Sequence, residues 1–164
     1  MTRSGKALIA GMRSFHETFP SSYVSVAQAR HAVADFAQRC GLTPLDIADI
    51  ELAGGEAFNN AAEHGHVEGG SFQVSCQCNG ERFVLIVSDS GRGFRLAGLG
   101  QAVRPEERGA RGLGIFLMRS MMDDVDYKIT SAGTEVRLTK RYRVSNLSNS
   151  GRSTAQRGGA TSAI

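Results

Sequence analysis

Residues 71–89 constrain the fold of this chain more tightly than any other stretch. From Ser71 to Cys78, apolar and polar residues alternate strictly. Phe72, Val74, Cys76 and Cys78 fall on one side, and Ser71, Gln73, Ser75 and Gln77 on the other. A period of two means a strand with one face in a core and one in water. Asn79-Gly80 follows, a strong two-residue hairpin signal. The return, Phe83 to Val87, is apolar without a break, which predicts a central strand ending at Asp89. A sheet with one apolar face must be covered on that face, and the segments before it read as helices.

Val26, Ala29, Val33, Phe36, Ala37 and Cys40 share one helical face, with Ser25 as the expected cap and Gly41 as a fitting stop. Thr43-Pro44 starts a second helix. Threonine is a good N-cap, proline suits the first helical position, and Asp46 favours the positive end of the dipole. This helix runs through Ile47, Ile50, Leu52 and Phe58 to about His64, and Gly65 ends it. A third helix is expected from about Leu113 to Asp123. Two strands follow, Val125 to Thr130 and Thr134 to Thr139, joined at Ala132-Gly133, and Ser14 to Pro20 is a candidate edge strand. The expected class is α/β (α+β): a two-layer sandwich of a mixed, mostly antiparallel sheet with helices on one face and a ligand pocket between the layers. Residues 1–12 read as a flexible arm, 13–143 as one domain, and 144–164 as a disordered Ser/Gly-rich tail.

Composition narrows the function classes. With 164 residues and 41% hydrophobic content, the chain suits one soluble domain. No run approaches the ~18 apolar residues of a membrane helix, and the N-terminus lacks a signal-peptide layout, so a cytoplasmic protein is expected. The net charge of +3 sits at the C-terminal end. Setting aside Arg141, Arg143, Arg152 and Arg157, four of the 19 basic residues, leaves 15 against 16 acidic ones, so the body has no nucleic-acid footprint. Cys40, Cys76 and Cys78 fit neither a zinc site nor a redox pair and are expected to be free buried thiols.

Four pieces carry chemistry. Glu56, Asn60 and His64 stand at i, i+4 and i+8 and drift by only ~80° around the second helix, forming one polar stripe. Gly54-Gly55 just before them costs about 2 kcal/mol relative to alanine, which suggests that this face holds something. An asparagine amide oxygen suits Mg²⁺, which bridges phosphates, and a carboxylate one turn earlier can accept a proton from an attacking hydroxyl. Asp89-Ser-Gly91-Arg-Gly93-Phe94 follows the central strand, where a carboxylate can accept from an exocyclic amine such as that of adenine and glycines let the backbone approach a ligand. Gly109-Ala-Arg-Gly112-Leu-Gly114 runs into a helix whose amides favour phosphate. It is neither GxGxxG nor GxxxxGK[ST]. The fourth piece is Gly133-Thr134 at a strand start. Taken singly, each piece is also what an ordinary turn, cap or polar helix face looks like.

In this order, the four pieces resemble the ATP-binding fold shared by gyrase, histidine kinases and the mismatch-repair protein MutL, the GHKL or Bergerat-fold superfamily, over roughly residues 13–142. The pattern is most similar to bacterial anti-sigma factors that are serine kinases. The resemblance implies a protein serine/threonine kinase that binds ATP or ADP with Mg²⁺. Its implied substrate is a serine on a STAS-domain antagonist, and many such proteins bind a sigma factor as dimers. It implies Glu56 as general base, Asn60 as Mg²⁺ ligand, Asp89 as adenine anchor and Thr134 near the adenine. Gly91, Gly93, Gly112 and Gly114 would be backbone donors to nucleotide, with Arg111 and Leu113 in the same binding set and residues 95–111 as a lid. Some members place an arginine where this chain has Ala110, flanked by Arg108 and Arg111, which puts partner contacts through this loop in question. The open sheet edge suggests a homodimer, and neither nucleic acid nor membrane is expected as a partner. Two other readings fit the same residues. One is a non-catalytic ATP-dependent switch that sequesters a sigma factor or activates a phosphatase. The other is the ATP domain of a histidine kinase, which requires a phospho-accepting hairpin upstream, whereas His31 falls inside a helix of the ATP domain itself.

Overall fold

The computed structural model describes residues 11–64, 69–90 and 110–144. The chain order is β1 (Arg13–Pro20), α1 (Tyr23–Arg39), α2 (Pro44–His64), β2 (Ser71–Cys78), β3 (Arg82–Asp89), α3 (Ala110–Met121), β4 (Asp124–Thr130) and β5 (Gly133–Arg141). The strands form one five-stranded sheet in the order β1-β2-β3-β5-β4. The mostly antiparallel sheet expected from the sequence is antiparallel at every described pairing. The unbroken apolar strand β3 lies at the centre, and β2 buries every second residue. Inward-facing Phe72, Val74, Leu85, Val87 and Leu138 meet Val33 and Ile50 of the helices, all nearly inaccessible to solvent. Phenylalanines knit the layers together: Phe58 of α2 stacks on Phe72 at 6.1 Å, and Phe36 of α1 reaches Phe83 at 6.0 Å.

The helix ends follow local chemistry. Thr43 and Asp46 cap α2 reciprocally. The Thr43 hydroxyl accepts from the Asp46 amide (3.2 Å) and donates to the Asp46 carboxylate (2.7 Å), which also accepts from the Thr43 amide (3.3 Å). At the end of α1, Leu42 donates to Ala37 and Gly41 to Gln38, and Gly41 has φ +84°, a Schellman close. The cap of α1 is Ser22, three residues before the expected Ser25. The Ser22 hydroxyl accepts from the Ser25 amide at 3.2 Å, and Ser25 lies buried inside the helix. Both serines precede the apolar stripe, so periodicity alone does not choose between them. The β2–β3 turn is likewise displaced by one residue. Asn79 pairs with Arg82, so Gly80 and Glu81 are the central residues, and Gly80 takes φ +90° at the first of them. The Asn79 side chain accepts from the Glu81 and Arg82 amides, at 3.0 and 2.8 Å.

Two expectations are corrected by packing. Cys40 and Cys78 are not free thiols but are joined in a disulfide across 38 residues, tying the C-cap of α1 to the end of β2. Their Cα atoms stand 6.4 Å apart, inside the range a bridge needs. Only tertiary structure brings them together, and no spacing rule anticipates it. Cys76 remains a buried free thiol. The second correction concerns Gly54-Gly55, which serve packing. A Cβ on Gly54 would stand 3.1 Å from Leu85 Cδ2, and one on Gly55 would stand 3.3 Å from Arg30 Cζ. The first lets α2 settle on β3, and the second lets Arg30 of α1 cross over α2. The expected arm and tail lie outside the described residues, apart from the short stretches 11–12 and 144.

Candidate functional site

The segment of α2 that carries the polar stripe lies over the end of the sheet where β3 finishes: Phe58, between Glu56 and Asn60, stacks on Phe72, the ladder partner of Asp89. Glu56 and Asn60 lie one turn apart on α2, each half-buried. The α2 helix is held there by apolar packing below and by Lys140 of β5 on its flank. The Lys140 ammonium donates to Asp49 Oδ2 at 2.6 Å and to the Met121 carbonyl of α3 at 2.8 Å. One cation thus fixes α2, α3 and β5 relative to one another. Asn59, beside Asn60, is also half-buried. His64 ends α2, and its side chain lies outside what is described.

Helix α3 meets this stripe at its N-terminal end. A Cβ on Gly114 would stand 2.7 Å from Glu56 Oε2, so the glycine lets that carboxylate lie directly against the start of α3. The helix begins at Ala110, earlier than expected, so Gly112 and Gly114 lie in its first two turns and not in a preceding loop. The amides from Ala110 to Gly112 have no acceptor within the helix and mark its positive end. Gly112 is half-buried, Leu113 exposed and Gly114 buried, whereas nothing is described of the Arg111 side chain. Arg30, crossing Gly55 next to Glu56, brings a cation to the same edge of α2. Sequence reasoning did not single it out, because its only signal is the glycine it crosses.

Asp89 and Thr134 face one another as the last paired rung of β3 and β5. Asp89 is half-buried and Thr134 is buried. Gly133 makes the rung possible. It takes φ +148°, and a Cβ there would run into the Asp89 carbonyl. Gly91, Gly93 and residues 95–109 of the expected lid lie outside the described residues.

The segment of α2 that carries Glu56 and Asn60 and the rung of Asp89 and Thr134 therefore lie at the same end of the α2–β3–β5 layer, with the start of α3 against Glu56. Their donor set suits a nucleotide with Mg²⁺. Among the described residues no three His, Cys, Asp or Glu side chains converge on a metal. A cation here would rest on the Asn60 amide oxygen, phosphate and water, which is how Mg²⁺ commonly sits. The space that a Cβ at position 114 would fill is where the Glu56 carboxylate lies.

Residues 19–140 match the histidine kinase-like ATPase domain family. The serine-protein kinase RsbW of Halalkalibacterium halodurans is 31% identical, over 80% of this chain and 85% of its own length. The RsbW of Staphylococcus aureus is 27% identical, over 80% of this chain and 89% of its own. Among solved structures, the RsbU and RsbW domains of a Mycobacterium tuberculosis protein superpose with a TM-score of 0.57 at 20% identity, covering 79% of this chain but 32% of that one. The histidine kinase domain of an Erythrobacter litoralis blue-light activated kinase gives 0.50 at 18% identity, covering 71% and 59%. At these identities the structural matches speak for the fold alone. With a family model matched over most of its length and a relative at 31% identity, this chain belongs to the histidine kinase-like ATPase domain family, the GHKL type.

Proposed function

We propose that this protein is an ATP-dependent serine/threonine-protein kinase acting as an anti-sigma factor, whose substrate is a serine of a STAS-domain antagonist. The observation that carries the reading is the Glu56 carboxylate set against Gly114 at the start of α3, one turn from Asn60. A domain that only held nucleotide would need Asn60 and the glycines but not a carboxylate at that point. RsbW relatives at 27–31% identity, named serine-protein kinases, support it.

In this reading Mg-ATP supplies the phosphoryl group. Asp89 and Thr134 hold the base, and Asn60 orients the cation. The first-turn amides of α3, with Gly91 and Gly93, bind phosphate oxygens. Glu56 takes the proton of the attacking serine hydroxyl as the new O–P bond forms and the bond to the departing ADP oxygen breaks. A cytoplasmic location and a homodimer that also binds a sigma factor complete the proposal. Among the described residues no helix is long and apolar enough to cross a membrane.

The test pairs binding with transfer. Calorimetric titration with ADP and a non-hydrolysable ATP analogue, with and without Mg²⁺, reads the site. Labelled phosphate from ATP onto a panel of purified STAS-domain proteins reads the chemistry. Glu56→Ala is expected to bind ADP within about twofold of wild type and to lose transfer by roughly 10²- to 10⁴-fold. Transfer at the wild-type rate in that variant sinks the general-base role. Binding with no transfer to any STAS protein favours a nucleotide switch instead.

A further inference from the structure

The opposite end of the sheet carries a second concentration of charge that the nucleotide site does not use. Arg82 opens β3 and Arg141 closes β5, and the two are direct cross-strand partners. Like charges in that arrangement repel. Arg143 follows two residues later. It is held by Tyr142, which extends the ladder by one rung (its amide donates to the Glu81 carbonyl at 2.9 Å) and buries its ring while its hydroxyl accepts from the Gly80 amide at 3.0 Å. The three arginines, with Thr43 and Tyr142, line an open basin of about 1000 Å³ at the N-terminus of α2.

None of the three guanidinium groups has a carboxylate partner among the described residues. The nearby acids are mostly engaged elsewhere. Asp46 caps α2 through Thr43, and Asp123 accepts from the Arg141 backbone amide at 2.6 Å. Asp46 and Glu81 both remain in the lining, so three cations face two carboxylates there, with no ion pair formed between them among the described residues. Residues 145–164 contain no acid and add Arg152 and Arg157, so that segment has no side-chain charge to neutralise the basin.

We propose that this basin docks an extended acidic segment of a partner protein. Arg82 and Arg141 lie about 5 Å apart across the ladder, and Arg141 and Arg143 about 7 Å apart along the strand. Carboxylates at alternate positions of an extended peptide repeat at about the same 7 Å, and guanidinium groups take carboxylates in pairs of parallel hydrogen bonds. A single small anion would engage only part of so wide a row. The surface lies about seven strand residues, or roughly 24 Å, from Asp89, so a docked segment leaves the nucleotide end free.

The probe is a fluorescein-labelled Glu-Ser repeat peptide of about ten residues, long enough to span the row, with a Gln-Ser repeat as control. Fluorescence anisotropy is read against the full chain at low and physiological salt. The Glu peptide is expected to bind, more weakly as salt rises, and the Gln peptide not to bind. Arg82→Glu is expected to weaken binding by about tenfold or more while leaving ADP affinity unchanged. Because it also turns a repulsive cross-strand pair into an attractive one, its melting temperature should not fall below wild type, which separates lost docking from lost folding. Arg141→Gln with Arg143→Gln provides a second variant with the same expected loss. Wild-type affinity in these variants, equal binding of the Gln peptide, or no binding of the Glu peptide overturns the proposal. So does arginine-dependent capture of inorganic phosphate or of anionic-lipid vesicles in preference to the Glu peptide.

Discussion

A glutamate on a helix is commonplace, and Glu56 is distinguished by what faces it. Its neighbour on α3 is a glycine on which a Cβ would stand 2.7 Å from the carboxylate oxygen, so Glu56 on α2 and Gly114 on α3 specify one place in space from two distant segments. Sequence reasoning reached both residues through motifs but not their mutual contact, because a contact between helices has no sequence period. The burial of Cys76, by contrast, was legible from the alternation of its strand. Burial pushes its thiol from 9.0 up to about 12, and the sign of the consequence follows. The unfolded thiol ionises above pH ~9 while the folded one keeps its proton to about 12. Between those values the unfolded state binds fewer protons and stability falls as pH rises, by up to about 1.4 kcal/mol per pH unit. Tyr127, whose hydroxyl is raised to about 12 chiefly by burial and lowered somewhat by Arg119, adds to the fall above pH ~10. Urea midpoints measured from pH 8 to 10.5 should drop in wild type and drop less in Cys76→Ala. Equal slopes in the two proteins would mean that the thiol is not held neutral by the fold.

At the scale of elements, the sequence was legible wherever a period and a cap agreed. The α2 helix starts at Pro44 because Thr43 and Asp46 satisfy each other, all readable from three letters. The start of α1 slipped because Ser22 and Ser25 both qualify as caps, and the β2–β3 turn slipped by one residue because Asn79 bonds two amides with its side chain. The start of α3 was placed late, since two glycines argue against helix locally while packing on Glu56 favours it. The disulfide was missed altogether. It closes 38 residues, and the chain-entropy argument for a loop of that size gives about 3–4 kcal/mol, with enthalpic terms of either sign. Replacing Cys40 and Cys78 together by serine should lower the unfolding free energy by roughly that amount in denaturant titration, without changing ADP affinity, because the bridge lies at the hairpin end of the sheet and the nucleotide groups at the other. In a reducing cytoplasm such a bond would be an exception. Thiol counting by mass spectrometry on protein alkylated at the moment of lysis therefore belongs beside the titration. Three alkylated cysteines there, together with unchanged stability of the double variant, would show that the pair is a dithiol in its working state.

For the whole molecule, the layer architecture follows from one amphipathic sheet and the helices that must cover it, which is why the class could be read from residues 71–89 and the helical faces before them. The site was legible as residue types and order but not as a shape. Its groups come from α2, β3, α3 and β5, and only the sheet order β3-β5 puts Asp89 beside Thr134 while Lys140 ties the other two elements to β5. A site assembled this way should stabilise the molecule when filled, because a ligand that binds only the folded chain adds its binding free energy to folding. At a free Mg-ADP concentration about a hundred times its dissociation constant, the gain is about 2.7 kcal/mol, or roughly 5–11 °C in melting temperature for a domain of this size. If Asn60 is the residue that orients the cation, Asn60→Ala should melt near wild type without ligand, because the residue is half-buried and outside the apolar core, and should still gain stability from ADP. What it should lose is the extra increment that Mg²⁺ adds over ADP alone. An Mg²⁺ increment of wild-type size in that variant would remove Asn60 from the cation's coordination. No nucleotide shift in the wild type would remove the nucleotide from the site.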